Sequence, residues 1–84
     1  MKLPALNQPL KLVASGRAYS VTCVDLFDGG YGYYFDAQFA KNSEKTFTEG
    51  EQCRMPEVSE TCVADFVSCN AADPRKMRFL IPKW

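Results

Sequence analysis

One stretch of the chain decides the fold: Tyr31-Gly32-Tyr33-Tyr34-Phe35-Asp36-Ala37-Gln38-Phe39. Read with a period of two, its odd-numbered positions are apolar or aromatic, whereas its even-numbered positions include an aspartate and a glutamine. This alternation is typical of a half-buried strand, because successive side chains of a strand point to opposite faces of the sheet. We therefore expect Tyr33, Phe35 and Phe39 to face a core, with Tyr34 on the opposite, polar face.

The sequence before this stretch indicates two further strands. Residues 10–14 are mostly apolar and are followed by Ser15-Gly16, which breaks the pattern. Residues 18–27 are rich in β-branched and apolar side chains, but their alternation changes phase after Cys23. One extra residue in a β-bulge produces such a change. The turn at residues 28–30 contains two adjacent glycines, which supply the positive φ values of a tight hairpin.

The second half of the chain is less regular. We expect a short strand over residues 46–48, a turn at residues 49–51, and a last strand over residues 76–81. The last strand ends at Pro82, which has no N–H to donate to a ladder and therefore suits a strand end.

The segment between these elements is ambiguous. Residues 57–69 place apolar side chains at helical spacing, but they also show the β-branched content and alternation of a strand. We favour a strand over residues 61–69, because the turn-forming residues 70–74 then connect it to the last strand as a hairpin.

These patterns predict a mainly β fold for a single domain of residues 1–84. Five or six short strands separated by turn signals are typical of a small antiparallel barrel, here OB-like. Closure of the barrel removes the unpaired edges that an open sheet of this size would expose. The alternative is an α+β fold in which one helix, at about residues 57–68, packs across the sheet.

Composition limits the classes of function. Ten basic and ten acidic residues give zero formal net charge, so the field of the whole molecule attracts neither nucleic acid nor an acidic membrane. The chain has no histidine, which removes the usual proton shuttle and the commonest metal ligand. Polar residues and prolines interrupt the N-terminal region, so it does not read as an export signal. We expect a cytoplasmic protein without membrane association.

The four cysteines are Cys23, Cys53, Cys62 and Cys69, with no Cys-x-x-Cys pair among them. A four-thiolate zinc site is geometrically possible, but structural zinc sites usually pair their ligands at short spacing. In a reducing compartment we expect free thiols that pack as small apolar side chains, with no metal and no cofactor.

Catalysis finds little support in the sequence. Without histidine, general acid–base chemistry would depend on a carboxylate such as Asp36 or Asp65, and both fall on the polar side of their strands. Cys53 is the best candidate for a reactive thiol because Arg54 follows it, but chance adjacency is the better explanation of this pair. We expect a protein that is not an enzyme.

Binding is better supported. Proteins that bind single strands combine basic side chains with aromatic rings on which bases stack. The densest basic cluster contains Arg75 and Arg78, and Tyr31 and Tyr34 are the aromatic residues predicted to be exposed.

Three patches resemble the small single-stranded-DNA-binding proteins of filamentous phages: residues 16–21, residues 23–26 and residues 78–83. Proteins of that family have similar length, fold as five-stranded OB-type barrels and act as homodimers that coat the replicating strand. The resemblance implies that Tyr19 stacks on bases and that Arg17 contacts phosphate.

Two hypotheses of different class follow. The first is binding of single-stranded nucleic acid through Arg17, Tyr19, Tyr31, Tyr34, Arg75 and Arg78. The second is a small phage or mobile-element protein that binds and inhibits a host protein. Tyrosine and arginine are also enriched at protein interfaces, and the acidic residues clustered between residues 44 and 60 suit such a partner.

Overall fold

The computed structural model describes residues 3–41 and 45–83, which form a closed antiparallel barrel. Its strands are β1 (Pro9–Ala14), β2 (Arg17–Asp28), β3 (Gly32–Phe39), β4 (Gln52–Arg54), β5 (Val63–Cys69) and β6 (Lys76–Pro82). Around the barrel their order is β1-β2-β3-β6-β5-β4, and every neighbouring pair is antiparallel. The prediction of a small, mainly β, OB-like barrel is confirmed.

The alternative helix at about residues 57–68 is wrong. Turns occupy residues 56–58 and 60–61, and β5 begins at Val63. Cys62, Ala64 and Phe66 are buried, and the residues between them are more exposed. Burial at every second residue is the pattern of a strand, because successive side chains of a strand point to opposite faces. Within the described residues no helix is long and apolar enough to cross a membrane.

The first hairpin has a tight turn where the sequence pattern indicated only a break between strands. Ala14 pairs with Arg17, so the loop contains only Ser15 and Gly16, with φ angles of 52° and 76°. Two consecutive positive φ values are typical of a type I′ turn, whose twist matches that of the flanking strands.

The predicted bulge in β2 is confirmed. The register between β2 and β3 shifts between Cys23 and Asp25, which leaves Val24 as the extra residue. Before the bulge, Tyr19, Val21 and Cys23 face the interior. After it, Leu26 is packed against the core and Phe27 lies on the outside.

The core combines the inner faces of all six strands with buried side chains from the connections, among them Phe47 and Met55. As predicted, Phe35 and Phe39 of β3 are buried, and Tyr33 packs against the core at its margin. Phe35 lies opposite Phe79 of β6, and the centres of the two rings are 6.2 Å apart. Rings at this separation and tilt attract one another beyond the burial of their area.

The expected strand over residues 46–48 is not formed. These residues have no ladder partner, but Phe47 is buried and its ring contacts four others, those of Tyr19, Phe39, Phe66 and Phe79. Burial of the Phe47 ring therefore anchors this connection. The alternation that predicted a strand reflects one buried side chain between the exposed Thr46 and Thr48.

β4 was not predicted from the sequence. It has three residues, of which only Cys53 is buried. It pairs with β5 over its whole length but meets β1 at one residue pair, Val13 and Arg54. A strand this short shows less than two periods of alternation, so its pattern cannot be distinguished from that of a loop.

Replacement of Phe47 by alanine should destabilise the protein by about 3–5 kcal/mol, because it leaves a cavity among four aromatic rings. The free energy of unfolding in urea measures this loss. Thr46→Ala, at the exposed neighbouring position, is the matched control and should change stability by less than about 0.5 kcal/mol. Equal effects of the two substitutions would show that Phe47 does not hold the connection.

Candidate functional site

The outer surface of β2, β3 and β6 carries a cluster that we call the aromatic face: Phe27, Tyr34, Asp36 and Arg78. Phe27 lies opposite Tyr34 on the neighbouring strand, and Asp36 lies opposite Arg78. The Phe27 and Tyr34 rings are stacked, with their centres 5.4 Å apart and their planes inclined by 30°. Phe27 remains 37% exposed. The sequence therefore maintains an aromatic pair at the surface of the barrel.

An ion pair borders the two rings. Arg78 donates from Nε to Asp36 Oδ1 at 2.7 Å and from Nη2 to Asp36 Oδ2 at 3.0 Å, which is a bidentate contact. The guanidinium carbon also lies 4.9 Å from the centre of the Phe27 ring. The hydrogen bond to Asp36 raises the pKa of Arg78 above its ordinary value. The guanidinium is thus held in one orientation, and its charge is compensated locally.

Gly29 allows the Tyr34 ring to occupy its position. A Cβ atom at residue 29 would collide with Cε2 and Cδ2 of Tyr34. The ring therefore lies directly over the backbone of the β2–β3 turn. The prediction that both glycines of this turn supply positive φ values holds only for Gly30, whose φ is 90°. Glycine is required at residue 29 for the close approach of the Tyr34 ring, and not for a left-handed backbone.

The tip of the β2–β3 hairpin presents Tyr31, which is 90% exposed. Asp28 organises this tip by accepting a hydrogen bond from the Gly30 N–H at 2.7 Å and one from Lys83 Nζ at 2.8 Å. The Lys83 N–H donates to the Tyr31 carbonyl at 3.0 Å. The hydrogen bond from Lys83 lowers the pKa of Asp28 and raises that of Lys83. The backbone around Tyr31 is anchored, while its side chain projects from the protein.

Tyr19 does not fit its predicted role as a stacking residue. It is only 7% exposed and packs against Phe39 and Phe47, with ring centres 6.1 Å and 6.5 Å away. The reason is that Tyr19 precedes the bulge in β2, where the alternation of the strand directs its side chain into the barrel. Arg17 is exposed, but its guanidinium carbon lies 5.7 Å from the Tyr19 ring and not beside Tyr34.

The remaining basic candidate, Arg75, lies at the far end of β6 from Tyr31. It is exposed in the β5–β6 turn, and its Nε is 3.7 Å from Asp73 Oδ1. The structure therefore brings Tyr34 and Arg78 together, places Tyr31 at the nearby hairpin tip, and separates Arg75 and Arg17 from this group.

Sequence reasoning did not assign Asp36 of the aromatic face to the binding site, and it missed Phe27 altogether. The signal that could have found it is the phase change in β2. If Leu26 takes an inward position after the bulge, Phe27 must point outward and lie beside the polar face of β3.

The acidic residues considered for a protein partner are dispersed. Glu51 forms an ion pair with Lys45 at 2.8 Å, and this contact lowers the pKa of Glu51 and raises that of Lys45. Glu57 and Glu60 are exposed in the turns before β5, and Glu44 lies outside the described residues.

All four cysteines are free thiols, and three of them are buried. Burial raises the pKa of Cys53 to about 12, and it also raises the pKa values of Cys23 and Cys62. The adjacent Arg54 therefore does not activate Cys53. In the part of the chain that the structure describes, no three His, Cys, Asp or Glu side chains converge as metal ligands.

Comparison of the chain with protein-family models, with curated proteins and with solved structures found no match.

The burial of three thiols predicts selective modification. At pH 8, a thiol reagent such as 5,5′-dithiobis(2-nitrobenzoate) should react with Cys69 alone in the folded protein, since Cys69 is exposed. In denaturant all four thiols should react. Mass spectrometry after alkylation identifies the modified residue. Rapid reaction of Cys23, Cys53 or Cys62 in the folded protein would contradict the packing described here.

Proposed function

We propose that this protein binds single-stranded nucleic acid, with bases stacking on the aromatic face and on Tyr31. The observation that carries the proposal is a group of aromatic rings at one end of the β2–β3 hairpin: the partly exposed Phe27, the half-buried Tyr34 and the almost fully exposed Tyr31. Tyr34 is less exposed than the sequence predicts, because Phe27 and the turn at Gly29 cover part of its ring. Every base has a π-face, so stacking on such rings recognises single strands with little regard to sequence.

The small size of the domain supports this proposal, because a small core gains more stability from a buried aromatic ring than from one at the surface. In a chain of 84 residues, each buried aromatic ring contributes strongly to a limited core. Here the bulge at Val24 turns Phe27 outward, and a glycine at residue 29 makes room for Tyr34 beside it. Two local backbone features thus maintain rings at the surface, where they contribute less to folding than buried rings do.

Electrostatics determines how the strand would be held. Arg78 and Lys83 lie nearest to the exposed rings, but each forms an ion pair, with Asp36 and Asp28 respectively. Compensated cations attract phosphate weakly, so stacking contributes the larger share of the affinity. Exposed basic residues at a greater distance, such as Lys76 and Arg17, supply the phosphate contacts that make binding weaker as salt increases.

Substitution of Tyr31 or Tyr34 by alanine should each weaken binding by roughly 1–3 kcal/mol, the value of one base–aromatic stack. Fluorescence anisotropy with a labelled oligo-dT at low salt measures the affinity. Tyr31→Phe is the matched control and should retain binding, since it keeps the ring. Tyr31→Ala should leave the free energy of unfolding unchanged, because that side chain is 90% exposed.

Absence of binding up to about 100 μM protein at low salt would refute the proposal, since even non-specific binding of nucleic acid reaches this range. The mixed charge of the aromatic face would then favour the alternative, a small phage or mobile-element protein that binds and inhibits a host protein. Interface hot spots are rich in tyrosine and arginine, and they need no net positive charge.

We further propose that the protein is a homodimer, as the resemblance to filamentous-phage proteins implies, and that it acts in the cytoplasm. Sedimentation equilibrium at micromolar concentration should then give twice the chain mass of 9.5 kDa. A monomer at all concentrations up to about 100 μM would contradict the dimer, since the free energy of association would then be weaker than about 5.5 kcal/mol.

A further inference from the structure

A cleft of about 570 Å³ opens beside the Asp36–Arg78 ion pair. One wall is formed by Val24 and Asp25 at the bulge of β2, and the opposite wall by residues 68–71, where β5 runs into its turn. Asp36 and Arg78 lie between these walls. The volume is within the range of sites that hold small molecules, roughly 300–1,000 Å³.

The charges that line the cleft are balanced. Its ionisable side chains with formal charge are Asp25, Asp36, Lys76 and Arg78, two of each sign. A phosphate or carboxylate gains no net attraction from such a lining, and a neutral planar group is not penalised. The balance therefore favours a ligand that is held by its faces and edges, and not by its charge.

Arg78 supplies a flat surface in this cleft. Its Nε and Nη2 donate to the two oxygens of Asp36, and these contacts engage one edge of the guanidinium. The guanidinium carbon lies 4.9 Å from the centre of the Phe27 ring. A guanidinium plane fixed in this way resembles the planes on which unpaired bases stack in RNA-binding proteins.

The rim of the cleft offers both a donor and an acceptor. Asn70 Oδ1 accepts from the N–H groups of Ala72 and Asp73, which orients its amide nitrogen, a donor, away from them. Asp25 Oδ1 accepts from the Leu26 N–H, and an ionised carboxylate has lone pairs for further donors. The edges of nucleobases carry donors and acceptors side by side.

We propose that this cleft is a subsite for one unpaired nucleobase, which stacks on the guanidinium of Arg78. Asp36 is the positioning residue: it holds the guanidinium plane and compensates its charge. The inference rests on the proposed function and deepens it, because it assigns Arg78 to the base and not to the phosphate of the strand.

The test compares two ligands of equal length and charge, a labelled oligo-dT and a labelled abasic oligonucleotide with the same phosphates. Affinities for both are measured by anisotropy for the unmodified protein, for Arg78→Lys and for the control Arg75→Lys. Lysine keeps the charge but lacks the plane. Arg78→Lys should weaken binding of oligo-dT about tenfold and leave binding of the abasic strand unchanged. Arg75→Lys should leave both affinities within about twofold.

Asp36→Asn provides a second variant with nearly the same shape. It should lower the ratio of oligo-dT affinity to abasic affinity, because the freed guanidinium then attracts phosphate. The slope of log affinity against log salt should steepen by about 0.7, the value of one additional phosphate contact on a single strand. Urea unfolding of each variant verifies that the barrel is intact.

The outcomes separate the two proposals. If the unmodified protein binds oligo-dT but Arg78→Lys binds it equally well, or loses equally on both ligands, the base subsite is refuted and the proposed function survives. If the unmodified protein binds neither ligand, both are refuted. An unchanged salt slope in Asp36→Asn would show that Arg78 does not reach the strand, which also refutes the subsite.

Discussion

The arrangement of this barrel depends on the period of two along β2. Successive side chains of a strand point to opposite faces of the sheet. Both halves of β2 contribute apolar side chains to the core, but the two halves are out of phase with each other. One extra residue, Val24, reconciles the two halves. Without it, Leu26 would point to solvent and Phe27 would point into the barrel. The core and the aromatic face are therefore consequences of the same backbone irregularity.

Much of the fold could be predicted, because long strands repeat their pattern several times. β1, β2, β3 and β6 each show at least two full periods of alternation, and their turns contain the residues that tight turns require. The three-residue β4 carries too little pattern to identify. The connection that contains Phe47 misled the prediction, since a lone buried ring between polar residues has the same local pattern in a strand and in a packed loop.

The candidate site was less accessible to sequence reasoning. The alternation along β2 places Tyr19 on the same face as Val21 and Cys23, and all three are buried. For Tyr19 the strand pattern was therefore a better guide than the resemblance that implied base stacking. The compensation of Arg78 could not be foreseen, because Asp36 is 42 residues away and meets it only through the register of β3 and β6. Counts of charge describe the whole molecule, whereas recognition depends on which charges face one another.

The closure between β1 and β4 has a mechanical consequence. Around the rest of the barrel, strands are joined by several residue pairs, but this seam is joined by the single pair of Val13 and Arg54. A cooperative structure opens first where the fewest interactions must break together. We therefore expect local opening to begin with the separation of β1 from β4, while the longer ladders that join β3, β6 and β5 stay paired. Asp36 and Arg78 face each other across one of these longer ladders, so their ion pair can persist while the seam opens.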